Sequence, residues 1–550
     1  MGERRMDLII RNACVYDGSG AEPFTTDLGI GGGQIEAIGD LTDAEAAATI
    51  DADGLAAAPG FIDMHSHSDW VLPQPHHGEV LAPLLEQGIT TLVGGNCGAS
   101  PAPIVPGNEG RVKAVGRMLH DQALDYAWTD MATFLDLLER NGVALNLAQL
   151  VGHGTIRTGV MGGASERATD EEVAAMADQV RGALDGGAIG FSTGLGYAPG
   201  VFADTEELIG VTAPLAERGG IYTSHARSYV ALARRDDPDQ TPSNIRALDE
   251  TAAIHRAHGV KVQHSHLIFV GDESWSSTDR VLEHLERLAE QDADIACDAF
   301  PYVGGNTTLA VFMPAWALTQ LDKAVSDPEL RGKAKRSLER NQANFGMCWD
   351  DTQIMWVPDR ALARYEGLTI AEVATARGTD PTDTYLDLLR ELGPRARIIN
   401  WNYSGRDDEE ASLRKVLKHP RTCFETDTIL TGQGFDNPAS YGTFPRILGR
   451  YVRELGLLSL SEAIHRMTGM SAQRMNIADR GFIREGLAAD LVLFDPDTIG
   501  DNTTRKAPDR SPSGIETVVL NGQVVVRDGR FDSTRRDGKV LRLQKGLVRA

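Results

Sequence analysis

Apolar runs of strand length recur along this chain, most of them end in a polar residue, and helix-length stretches separate them. Residues 89–93, 145–151, 188–191, 221–224, 260–263, 295–298 and 397–400 are such runs, joined by one leading into His65 and one ending near Asp427. Continuous apolar runs alternating with helices are what parallel strands buried on both faces require. The count is close to eight, so the pattern predicts an α/β fold built on a (β/α)8 TIM-like barrel. The helix expected over 170–185 has Thr169 as its cap, acids in its first turn and Gly186-Gly187 at its end.

The two ends of the chain read differently. Short strands with Gly turns occupy 8–50, and 489–494 and 518–526 repeat the style, the latter as a hairpin with Asn521-Gly522 at its turn. Both ends are expected to form one small β-sandwich. The predicted organisation is sandwich over 1–58, barrel over 59–307, an inserted lid-like segment over 308–392, barrel again over 393–478, and sandwich with tail over 479–550. The insertion is too long for one connection and carries a helical pattern from Pro328 to Asn341.

A formal charge of -24 argues against nucleic-acid or anionic-membrane partners, because such a surface repels phosphate. Five scattered cysteines fit a reducing compartment better than a disulfide framework. No signal-peptide core and no run of about eighteen apolar residues is present, so a cytoplasmic protein acting on a small molecule is expected. A homo-oligomer is compatible with the sequence, which sets no oligomeric state.

The chemistry concentrates at the strand ends. His65 and His67, two apart in an extended segment, share a face and can reach one divalent ion. His153, Tyr197, His225, Arg227, His264, His266, Asp298 and Asp427 follow later runs, and in a barrel all these positions lie on one rim. Of His264 and His266, one is expected to face the ion and the other to pack or support it. Cys97, in Gly94-Gly95-Asn96-Cys97-Gly98, is the candidate thiolate bridge, because Lys113, the sole lysine between Ser68 and His225, is expected in a loop well after its strand. Asp427 is the candidate general base.

Taken together, Pro59-Gly60-Phe61-Ile62-Asp63-Met64-His65-Ser66-His67, Gly94-Gly95-Asn96-Cys97-Gly98, Val151-Gly152-His153-Gly154-Thr155, Gly190-Phe191-Ser192-Thr193-Gly194, Ser224-His225-Ala226-Arg227, Ser265-His266-Leu267 and Gly442-Thr443-Phe444-Pro445-Arg446 resemble the amidohydrolase superfamily, and within it the N-acyl-D-amino-acid deacylase (D-aminoacylase) family. The resemblance implies one or two zinc ions held by His65, His67, Cys97, His225 and His266, with Cys97 bridging. It also implies Asp427 as the acid/base, Tyr197 as donor to the developing oxyanion, and hydrolysis of an amide by attack of metal-bound hydroxide.

Three departures from that family concern substrate recognition. Arg227 is followed by Ser228 and Tyr229 where the family carries an acid two positions on; Ile268 stands where it carries Lys; and Asn437-Pro438-Ala439-Ser440-Tyr441 replaces His-Pro-Arg before Gly-Thr-Phe. Two lost charge-assisted contacts to a carboxylate are worth roughly 1.5 to 3 kcal/mol each. The expected substrate is therefore an amide without a free α-carboxylate, or one held instead by Arg227 or Arg446. His153, Ile268 and Tyr441 complete the expected substrate-binding set. A cyclic amidase of the hydantoinase or lactamase type, or a barrel without catalysis serving as a binding protein, are the rival readings.

Overall fold

The computed structural model describes residues 5–116, 119–120, 124–233, 239–318, 320–346, 348–406 and 409–543. Eight parallel strands, β1 (Phe61–Asp63), β2 (Ile89–Gly94), β3 (Asn146–Gly152), β4 (Gly190–Gly194), β5 (Ile221–His225), β6 (Val262–His264), β7 (Ile295–Ala299) and β8 (Thr422–Phe424), pair with their neighbours in chain order. A bridge between Ser66 and Thr428, with Asp427 N–H donating to the His65 carbonyl at 3.0 Å, brings the end of β8 back to β1. The strand period of two sorts the side chains. Ile62, Met64, Val93, Ala148, Leu150 and Cys423 fill the inside of the barrel, while Phe61, Leu92, Leu147, Val151 and Phe191 join a larger core that includes the helices.

The helix Asp170–Asp185 begins as its sequence demands: the Thr169 hydroxyl accepts from Glu172 N–H and the Glu172 carboxylate accepts from Thr169 N–H.

The chain ends meet. Five N-terminal strands between Met6 and Pro59 and four C-terminal ones between Leu491 and Phe531 form a single nine-stranded sheet with its own core of Leu8, Ile10, Leu28, Ile30, Leu491 and Leu493. Asn521 and Gly522 both take positive φ, 49° and 81°, the geometry of the two-residue hairpin turn read from the sequence. Buried hydrogen bonds lock this sheet to the barrel: Asn146 Nδ2 donates to Asp490 Oδ2 at 2.8 Å, and Asn521 Nδ2 donates to Asn146 Oδ1 at 2.9 Å.

One expected barrel strand lies elsewhere. Arg397–Asn400 is the central strand of a three-stranded antiparallel sheet, flanked by Gly305–Thr308 and Thr352–Trp356. The Arg-Ile-Ile-Asn run has the apolar content of a buried strand, and composition alone does not reveal its partner. One face of this sheet, with Ile354 and Ile398, packs on the helices between 309 and 392 in a separate core. The other, with Met355, Trp356, Ile399 and Trp401, meets Phe435, eight residues beyond Asp427. The insertion thereby borders the loop that carries the candidate base.

Candidate metal centre

Five side chains from four strand ends converge at one end of the barrel, and Asp427 from a fifth joins them. His65 Nε2 lies 3.1 Å from Cys97 Sγ; Cys97 Sγ lies 3.6 Å from both His225 Nδ1 and His266 Nε2; and those two nitrogens are 3.0 Å apart. Asp427 Oδ1 lies 3.6 Å from His65 Nε2 and 3.5 Å from His67 Nε2. Zinc bonded to nitrogen at about 2.05 Å and sulfur at about 2.3 Å has tetrahedral edges of roughly 3.3 to 3.6 Å. The cluster therefore has the spacing of a ligand shell, in two overlapping groups: His65, Cys97 and His266, and His65, His67 and Asp427.

The protonation chemistry fits as well. Burial pushes His65, His225 and His266 below the usual imidazole range, which keeps them neutral with a lone pair to offer. Burial, reinforced by the nearby Asp427 carboxylate, pushes the Cys97 thiol up, so a thiolate forms there only against a cation. Three of the site residues, Cys97, His266 and Asp427, hold positive φ of 53°, 31° and 46°. Backbone strain of this kind, at about 1 kcal/mol or more per residue, persists where the surroundings over-determine it. His266 is held by its N–H donating to Asp298 at 2.6 Å, and Asp427 by its N–H bonding to His65. Close packing at Cys97 needs Gly194, where an added Cβ would lie 2.2 Å from the Cys97 carbonyl oxygen.

A family model for the amidohydrolase family matches residues 48–526. The chain belongs to this family. It is 35% identical over 536 residues to a D-aminoacylase of Alcaligenes xylosoxydans xylosoxydans, covering 97% of each chain. It is 33% identical to an N-acyl-D-glutamate deacylase of the same organism, covering 100% of this chain and 99% of that one. A crystal structure of N-acyl-D-glutamate deacylase from Bordetella bronchiseptica, complexed with zinc and a phosphonate inhibitor that mimics the tetrahedral intermediate, superposes with a TM-score of 0.78 at 32% identity, over 98% of this chain and all of that one.

Around the amidohydrolase cluster, the other expected site residues fall into two groups. Tyr197 lies against it, its ring edge-on to His225 at 4.9 Å and its hydroxyl donating to the Cys97 carbonyl at 2.7 Å. The five residues expected to bind substrate are engaged elsewhere. Arg227 donates to both Glu250 oxygens at 3.0 and 2.9 Å and to the Ala203 carbonyl. Arg446 donates to Glu410, Asp501 and the Pro301 carbonyl at 2.9, 3.3 and 2.8 Å. His153 Nε2 meets Glu207 at 3.0 Å, and the Tyr441 hydroxyl donates to Asp436 at 2.8 Å. Ile268 packs with Ala226, Tyr229 and Ala247. His264 takes the supporting place, its Nδ1 3.2 Å from the Thr251 hydroxyl, because β6 ends at His264 and the left-handed backbone of His266, φ 31°, breaks the alternation that would have put both rings on one face.

Below the cluster lies a feature the sequence reading passed over. Cys423, Glu425 and Asp427 are two apart; Cys423 belongs to the barrel interior, and Glu425 is fully buried, neither of its carboxylate oxygens meeting a hydrogen-bond partner among the described residues. Burial, with the charges of Asp427, Asp298 and Asp63, raises Glu425 well above the usual carboxylate range. Asp298 and Asp63 are pushed by burial to about 7. The two-residue spacing from Asp427 was the available signal.

Proposed function

We propose that this amidohydrolase is a zinc-dependent hydrolase of N-acyl amides whose amine portion carries no free α-carboxylate. The observation that carries the carboxylate part is the pairing of both arginines expected to receive such a group, Arg227 with Glu250 and Arg446 with Glu410 and Asp501, together with an apolar neighbourhood for Ile268. Both guanidinium groups are half-buried, and with their N–H donors already committed to acids and carbonyls they have less to offer a ligand carboxylate.

His65, His67, Cys97, His225 and His266 would hold a zinc ion, which would supply Lewis-acid polarisation of an amide carbonyl and a water activated near neutral pH. Asp427, its carboxylate partly exposed beside His65 and His67, accepts the proton of the attacking water and passes it to the leaving nitrogen. Tyr197 stands at the cluster's edge with its one hydroxyl proton on the Cys97 carbonyl, and becomes donor to the oxygen that gains charge by exchanging that bond for the substrate.

The test uses zinc-reconstituted protein and paired substrates: a set of N-acetyl-D-amino acids and the carboxamides of the same compounds, with acetate release as the readout. A kcat/KM at least tenfold higher for the neutral member is expected. A marked preference for the free acids defeats the carboxylate part, and no acetate release from any substrate defeats the amidase reading.

A further inference from the structure

Tyr229, four residues beyond His225, is buried against three imidazoles: its ring centroid lies 5.3 Å from His225 at a nearly perpendicular 87°, 5.2 Å from His266 and 5.8 Å from His264. Its hydroxyl makes two hydrogen bonds of good length. It accepts from Ala226 N–H at 2.8 Å and donates to the Ser265 carbonyl at 2.9 Å. Ala226 follows His225, and Ser265 precedes His266. A single oxygen atom thus ties together the backbone units adjacent to the two imidazoles whose nitrogens stand 3.0 Å apart. The loop is fastened a third time, where Val270 N–H donates to the Tyr229 carbonyl at 3.0 Å.

The arrangement has a physical purpose. Two imidazole lone pairs 3.0 Å apart repel unless a proton or an ion lies between them, and His266 holds a left-handed backbone, φ 31°, that would relax if released. Asp298 grips His266 from one side through its N–H; the phenol grips the preceding residue from the other. With its donor and its acceptor capacity both used on the backbone, the hydroxyl has no role on a substrate.

We propose that Tyr229 is a positioning residue of the metal centre: a neutral brace that fixes the His225–His266 separation before the ion arrives and so sets how tightly the ion is held. The inference rests on the zinc reading above. Groups that orient metal-bound side chains from behind change metal affinity by about 10- to 100-fold when removed.

The decisive variant is Tyr229→Phe, which keeps the ring and deletes the oxygen, with Tyr222→Phe as a control, since the Tyr222 hydroxyl contacts Thr193 rather than any residue of the cluster. Zinc affinity is measured by competition with a chromophoric chelator, and the visible spectrum is recorded with Co2+ in place of zinc. The expected result is at least tenfold weaker zinc binding and an altered Co2+ spectrum for Tyr229→Phe, with Tyr222→Phe like the parent in both. Parent-like affinity and spectrum for Tyr229→Phe overturn the proposal, while a parent protein that binds no zinc overturns the metal reading instead. If Tyr229→Phe does not fold, hydrogen exchange on the metal-free parent decides: a protected Ala226 amide is expected, and rapid exchange there shows that no brace exists without the ion.

Discussion

At the scale of single residues, the site is held by side chains whose chemistry is costly without an ion. Cys97 brings a buried thiol that is hard to ionise alone, while Asp427, 3.5 to 3.6 Å from two histidines, is the proposed general base. These roles separate in an experiment. Cys97→Ala is expected to lose bound metal, by elemental analysis after gel filtration, because the thiol lies within 3.6 Å of three imidazole nitrogens. Asp427→Asn is expected to keep at least one ion while kcat falls about 10²- to 10⁴-fold, the usual worth of a general base. A full metal complement in Cys97→Ala would remove the thiol from the ligand set.

At the scale of elements, position depends on a few polar contacts at strand and helix ends. His77, the first residue of the helix His77–Glu86, donates from Nδ1 to the Gln74 carbonyl at 2.7 Å and accepts at Nε2 from Ala144 N–H at 3.2 Å. Both bonds together require the neutral ring, and burial lowers His77 to about 4. The unfolded chain binds this proton more readily than the folded one between about 6.5 and 4. The stabilisation is thus fully present above about pH 6.5 and lost as pH falls towards 4, on the order of 3 kcal/mol at most. His77→Gln removes the titration, so the unfolding temperature of the parent should fall more steeply than that of the variant between pH 7 and pH 4.5. Parallel slopes would show that His77 has no part in the pH dependence. The insertion follows the same logic of polar fastening. Arg397 on its sheet donates to the Ile429 carbonyl and the Thr431 hydroxyl, both at 3.2 Å, and Ser404 accepts from Phe269 N–H at 2.8 Å. These contacts fasten it to the loops that follow Asp427 and His266.

At the scale of the whole molecule, the candidate ligands come from β1, β2, β5, β6 and the segment after β8, so a bound ion would cross-link sequence positions from His65 to Asp427. An ion that binds only the folded chain adds about 4 kcal/mol when its free concentration is a thousand times Kd. Chelation is therefore expected to lower the unfolding temperature and zinc to restore it; an unchanged unfolding curve would mean that no ion spans these strands. Much of this was legible from the chain alone. Apolar runs alternating with helices report a parallel barrel because burial on both strand faces leaves no polar period, and the rim residues His65, Cys97, His225, His266 and Asp427 were marked by their place at the ends of those runs. What stayed hidden were particular pairings between groups distant in sequence. Arg397–Asn400 had the composition of a barrel strand but pairs with Gly305–Thr308 and Thr352–Trp356. Arg227 and Arg446 looked like free cations until Glu250 and Glu410 were found beside them, and Tyr229 read as a mere departure from a motif until its hydroxyl was seen between two ligand loops. Periodicity and residue type, which are local, determined the barrel and the polar rim that carries the candidate ligands; charge neutralisation, strand pairing and the place of the Tyr229 hydroxyl were decided only when folding brought remote groups within hydrogen-bond distance.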